Sequence, residues 1–238
     1  MGITTIAVLA LAATTATPVM HLSFATPGPY VPDMGGIFPA LLHAAAWVST
    51  EGPAAGMQAL VLAEGEYIEL QEARVLLGEE AASGSLCLWV RPDFDPSSLP
   101  SGTWEGWAVI AWLQRRSGNG LPDGYNEIGL AVHGPRLLAK AAGPETSAPF
   151  ADIDCPLRKG HWTHLAITWT PTRRCLYVDG ALTSEAAGDF QAPRLDDFPG
   201  CVACHPPTRK WFFPGAFADV RVYKEELSAE DIRRIARP

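Results

Sequence analysis

The sequence predicts an all-β fold, a sandwich of short antiparallel strands followed by one short helix at the C-terminal end. Three observations carry that expectation. Apolar and polar residues alternate with a period of two through several runs. Turn-forming residues bound those runs, with 22 Gly and 21 Pro spread along 238 residues. Helix-start signals with an apolar stripe behind them occur in the last stretch.

The opening MGITTIAVLALAATTATP has an apolar core from Ile3 to Ala13 and small residues after it, including Ala10-Leu11-Ala12. Residues 1–18 read either as a secretory leader without a basic start or as a leading strand, and they are too short to span a membrane and stay there. In SLCLWVRP, Leu86, Leu88 and Val90 share one face while Cys87, Trp89 and Arg91 share the other. HWTHLAITWT repeats the pattern, with Leu165, Ile167 and Trp169 opposed to Trp162, His164, Ala166 and Thr168. CLYVDGALTS sets Asp179-Gly180 between two β-type runs, the strongest hairpin signal in the chain. AFADVRVYK alternates once more. Ser228-Ala229-Glu230-Asp231 then spells a capping box with Asp in the third position, and Leu227, Ile232, Ile235 and Ala236 form the stripe behind it. With no internal repeat and no polar linker, residues 20–238 read as one domain.

The charge balance narrows the partners. Asp and Glu number 26 against 18 Lys and Arg, a formal net charge of −8. No basic surface is on offer to phosphates, which argues against nucleic acid and against anionic membranes. No Lys or Arg precedes Arg74, and no uninterrupted apolar run is long enough to insert in a bilayer. The five cysteines are Cys87, Cys155, Cys175, Cys201 and Cys204; an odd count argues against a disulfide-built scaffold, which a chain of this size does not need.

Several segments taken together are familiar. MHLSF, VPDMGG, GEYIEL, SLCLWVRPDF, GHWTHLAITWT, CLYVDG and GAFADVRVYKEELSAEDIRRI resemble, in order and spacing, the laminin-G-like subgroup of the concanavalin A-like lectin/glucanase domains. The resemblance implies an antiparallel two-sheet jelly roll. Alternation alone implies a sandwich without choosing that topology.

Four sets of residues are candidates for chemistry. Cys201-Val202-Ala203-Cys204-His205 spells the C-x-x-C-H of covalent haem c attachment. In the resemblance, however, GCVAC takes the place of a strand, which points residues three apart to opposite faces, and Pro206-Pro207 oppose a helix through His205. The plain alternative is two strand cysteines and a His in a Pro-rich loop, with a Cys201–Cys204 disulfide open to an exported protein. A structural zinc site lacks a second close pair, since Cys155 and Cys175 are far apart in sequence. Glu64, Glu66 and Glu69 are reminiscent of the carboxylate cluster of laminarinase-like glycoside hydrolases of this fold. On a regular strand Glu64 and Glu66 share a face and Glu69 does not, so two facing carboxyls would require a bulge. The resemblance also assigns a structural calcium to Asp33 in the first loop and Asp219 at the last strand, a use suited to carboxylates beside glycine-rich turns. The alternative is that Asp33 shapes a turn and Asp219 is a satisfied polar residue.

The aromatics are the last set. Trp104 and Trp107 in SGTWEGW are the candidate ligand contacts, because loop tryptophans stack on sugar faces or anchor protein partners. Trp162 and Trp169 are not expected as ligand contacts, since most aromatics of a sandwich belong to its core, and Trp211 is left open. The resulting expectation is a non-catalytic, lectin-like binding or adhesion module for a glycan or protein surface. It would be secreted, periplasmic or on the cell surface, and could be part of a larger extracellular assembly. A glycoside hydrolase and a haem c carrier are the alternatives.

Overall fold

A computed structural model describes residues 16–25, 30–31, 40–44, 48–114, 126–143, 148–196 and 198–237. In chain order the strands are β1 (Met20–Leu22), β2 (Tyr30–Val31), β3 (Ala40–His43), β4 (Ser49–Glu51), β5 (Gln58–Leu62), β6 (Tyr67–Glu72), β7 (Gly84–Pro92) and β8 (Trp107–Gln114). They continue with β9 (Glu127–His133), β10 (Arg136–Ala142), β11 (Ala151–Asp154), β12 (Thr163–Trp169), β13 (Arg173–Val178), β14 (Ala181–Ala187), β15 (Pro199–Val202) and β16 (Gly215–Tyr223). Two α-helices, α1 (Ala73–Leu77) and α2 (Ala229–Ile235), and two single 3-10 turns at Pro96–Ser98 and Trp104–Gly106 complete the described elements.

The strands form two antiparallel sheets, the sandwich the alternation predicts and consistent with a jelly roll. The first runs β14-β13-β12-β7-β16-β5-β4, with β1 also paired to β16. The second runs β11-β10-β9-β8-β15-β6-β3-β2. Sequence neighbours frequently fall in different sheets, so the chain crosses over the core repeatedly. The core is built from the inward residues of both sheets. Leu86, Leu88 and Val90 of β7 meet Leu165, Ile167 and Trp169 of β12, with Ile128, Leu130 and Val132 of β9 opposite. Each such side chain contributes about 1.5–3 kcal/mol on burial.

The outward face of the central strands is buried as well. Cys87, Ala166, Tyr177 and Tyr223 pack with Leu227 and Ile232, so α2 covers part of the first sheet. This helix is capped as its sequence predicts: Asp231 donates its backbone N–H to Ser228 Oγ at 3.1 Å, and Ser228 donates its own to Asp231 Oδ2 at 3.3 Å. The Asp179-Gly180 hairpin also forms as expected. Val178 pairs with Ala181 across a two-residue turn whose φ values are 49° and 78°. A Cβ at Gly180 would lie 3.1 Å from the Ala236 side chain, so the hairpin tip abuts the end of α2.

Helix α1 was not anticipated. It has five residues and no side-chain cap, and Ala73, Leu76 and Leu77 are buried. A helix this short holds by packing, and packing leaves no local signature.

Candidate functional site

A trough of about 590 Å³ opens on the outer face of the second sheet. Its principal wall is β8. Trp107 and Val109 face outward, and regular alternation would then turn Trp112 into the core. A bulge between Val109 and Ala111 intervenes, adding one residue. Trp112 and Gln114 therefore also line the trough, while Ala108, Ile110, Ala111 and Leu113 stay with the core. Across the floor, β9 alternates core residues with Glu127, Gly129, Ala131 and His133. Gly129 is required there, because a Cβ would come within 2.4 Å of the Trp112 ring.

Aromatic rings crowd one end. Trp107 stacks on His133 at 4.6 Å between ring centroids, and Trp104 lies parallel to Trp211 at 5.6 Å. Trp104 is 70% exposed, a large apolar platform left in water at the rim. His205 packs 4.6 Å from Trp211; burial, and then the neighbouring Lys140, pull its pKa down to about 4, so it is neutral at pH 7. The floor is polar and internally paired. Trp112 donates its indole N–H to Gln114 Oε1 at 2.9 Å, and the Lys140 ammonium lies 2.7 Å from Glu127 Oε2 and 5.5 Å from the Trp112 ring centroid. At the edge Arg136 bonds Asp152 at 2.7 Å and also Asp154. Broad apolar faces over hydrogen-bonding groups suit a ligand that has one face of C–H bonds and a margin of hydroxyls.

The structure brings Trp104 and Trp107 together at this trough. Trp169 is buried and donates to the Ala81 carbonyl at 2.9 Å, while Trp162 packs on the other sheet. The three glutamates do not converge. Glu64 and Gly65 belong to the turn before β6; Glu66 accepts the Ala63 N–H at 2.9 Å, and Glu69 on β6 is ion-paired to Arg209 at 2.6 Å. No bulge sets two of them face to face.

For calcium, Asp33 lies outside the described residues. Asp219 has φ 51° at a bulge in β16, and its Oδ1 accepts from His21 at 2.6 Å and from Arg221 at 2.8 Å. Burial alone would push this carboxyl up; those two bonds more than reverse the effect and hold it below the ordinary range. A cation would have to compete with a guanidinium and an imidazole for one oxygen, so Asp219 as placed is a poor calcium ligand. Among the described residues no group of three or more His, Cys, Asp and Glu side chains is positioned to hold a metal ion.

The C-x-x-C-H segment is strand followed by turn. Cys201 lies on β15, as expected, but Ala203 at φ 67° reverses the path, and Cys204 returns beside Cys201 and hydrogen-bonds it. The expectation that the two thiols point to opposite faces is therefore corrected. His205 turns away to Thr208 Oγ1 at 2.9 Å.

Sequence reasoning missed Gln114, Glu127, Lys140, His133 and His205 as trough residues. The alternation in EIGLAVH, polar or small against Ile, Leu and Val, was the available signal for β9. The bulge that exposes Trp112 had none.

A laminin-G family model, described as the concanavalin A-like lectin/glucanases superfamily, matches residues 62–233. No curated protein matches the chain. Among solved structures, the receptor-binding domain of botulinum neurotoxin type G superposes with a TM-score of 0.65 at 12% identity, covering 93% of this chain and 51% of that one. Trypanosoma rangeli sialidase gives 0.61 at 16% identity, covering 91% of this chain and 32% of that one. Domain 4 of AbnA, an extracellular arabinanase from Geobacillus stearothermophilus, solved with arabinotriose, gives 0.57 at 17% identity and covers 93% and 99%. The chain thus spans about half of the toxin domain, about a third of the sialidase and nearly all of the arabinanase domain. At these identities the likeness is one of fold.

Proposed function

The chain belongs to the concanavalin A-like lectin/glucanase superfamily, which holds both binding modules and glycosidases, and from that premise we propose that it is a non-catalytic module binding a saccharide in the β8–β9 trough. One observation carries the reading: Trp104, Trp107, Trp112 and Trp211 converge on a single cleft whose floor is polar. Indole faces stack on the C–H face of a pyranose or furanose, and Gln114, Glu127 and Lys140 are placed for its hydroxyls. Trp104 and Trp107 take the stacking role. The arabinanase domain of matching length, in complex with arabinotriose, supports a sugar rather than a protein as the occupant.

Catalysis is the weaker reading, because Glu69 is held by Arg209 and the other two glutamates occupy a turn. Laminin-G-like domains are typically extracellular, and we place this one outside the cytoplasm too. Among the described residues no helix is long and apolar enough to cross a membrane. The direct test is a glycan array probed with the full chain. Selective signal on a set of saccharides is expected, and a blank array would overturn the reading.

A further inference from the structure

A second cluster lies on the same sheet face, beside the trough. Cys201 pairs in register with Trp112 of β8 on one side and with Glu69 of β6 on the other, so these three side chains share a face. Arg209, from the loop after β15, reaches back over them. Its guanidinium bonds Cys201 Sγ and Glu69 Oε2, and its carbon lies 5.0 Å from the centroid of the Tyr67 ring. Cys204 completes the group, hydrogen-bonded to Cys201 and to Arg209. All five described cysteines are reduced, yet this is where two of them adjoin with a cation against them.

The loop that makes this arrangement is under conformational constraint. Ala203, Arg209 and Trp211 all have positive φ, at 67°, 50° and 56°. It is closed by backbone bonds from Ala203 to Ile110, from Phe213 to Ala203 and from His205 to Lys210. The thiols are therefore held side by side by the fold, and not by a chance rotamer.

We propose that Cys201 and Cys204 form an oxidisable dithiol, converted by a hydroperoxide into an intramolecular disulfide. The two thiols are fully buried, which favours a small oxidant over a bulky disulfide. Arg209 lies against both sulfurs and favours a thiolate at either, so the reaction is the same whether Cys204 attacks or the roles are exchanged. The Cys204 thiolate attacks the terminal oxygen of the hydroperoxide; the S–O bond forms, the O–O bond breaks, and the departing alkoxide takes up the proton that Cys204 released. The Cys201 sulfur then displaces hydroxide from the Cys204 sulfenic acid, and the hydroxide leaves as water with the Cys201 proton. Two thiols are oxidised to one disulfide, and the hydroperoxide is reduced to an alcohol and water.

The sequence supplies a clean readout. Both cysteines fall in one tryptic peptide, residues 195–209, and no other cysteine does. The reduced full chain is treated with hydrogen peroxide, unfolded, alkylated with iodoacetamide and digested. The peptide 195–209 is expected to lose two hydrogens and take no alkyl group, while the peptides bearing Cys87 and Cys175 are alkylated. Arg209→Gln should slow the loss, read on the peptide 195–210 because the substitution removes the cleavage site after residue 209, and this half-exposed position spares the buried thiols should cysteine variants fail to fold. Two alkyl groups on 195–209 after peroxide, or pairing of Cys201 with a cysteine other than Cys204, would overturn the proposal. The readout is covalent, so it stands apart from whether the trough binds a sugar.

Discussion

His164 on β12 is fully buried, its ring 5.2 Å from Trp89, and neither ring nitrogen has a hydrogen-bond partner among the described residues. Burial pulls its pKa from 6.5 down to about 4. Because the folded value is depressed, the unfolded chain takes up the proton first as the pH falls. The associated stability is therefore present above about pH 6.5 and is lost progressively towards pH 4. The loss is of order 3 kcal/mol for such a shift, with His205 adding in the same sense. Thermal melts across that window should show the wild type losing stability on acidification and His164→Phe losing less; equal slopes would contradict this assignment. Single residues were unevenly legible. Trp104 and Trp107 stood out as tryptophans in a Gly-rich loop, but the buried neutral histidine and the carboxylate of Asp219 between His21 and Arg221 depend on neighbours from distant strands.

At the scale of elements, local signals succeeded where the chemistry is local. The capping box of α2 and the Asp179-Gly180 turn are both short-range devices, and both form as read. Ser228→Ala removes the acceptor for the Asp231 N–H and should cost about 1 kcal/mol, seen as a lower denaturation midpoint with an unchanged slope. An unchanged midpoint would mean that α2 is held by Leu227 and Ile232 alone. Elements governed by tertiary context were hidden. The bulge in β8 reverses the facing of Trp112 without any Gly or Pro to mark it, and the left-handed Ala203 brings Cys204 back beside Cys201 at a residue type that rarely adopts that backbone. The same limit explains α1, whose five residues follow β6 without a break.

For the whole molecule, the period-two pattern was enough to predict two sheets, because each buried face repeats it over many strands. What it did not reveal is that the outer faces are used as well. The first sheet buries part of its outer side beneath α2, and the second keeps a tryptophan-lined trough open beside the cysteine held by Arg209. The asymmetry between the two outer faces is the basis of the binding function proposed for this chain. Isothermal titration with a saccharide selected on the array tests that claim most directly, comparing the wild type with Trp107→Ala in the trough and Trp162→Ala on the opposite sheet. Trp107→Ala should lose about 2 kcal/mol, roughly 30-fold in Kd, while Trp162→Ala binds as the wild type does. Undiminished affinity in Trp107→Ala, or an equal loss in both variants, would contradict binding in the trough.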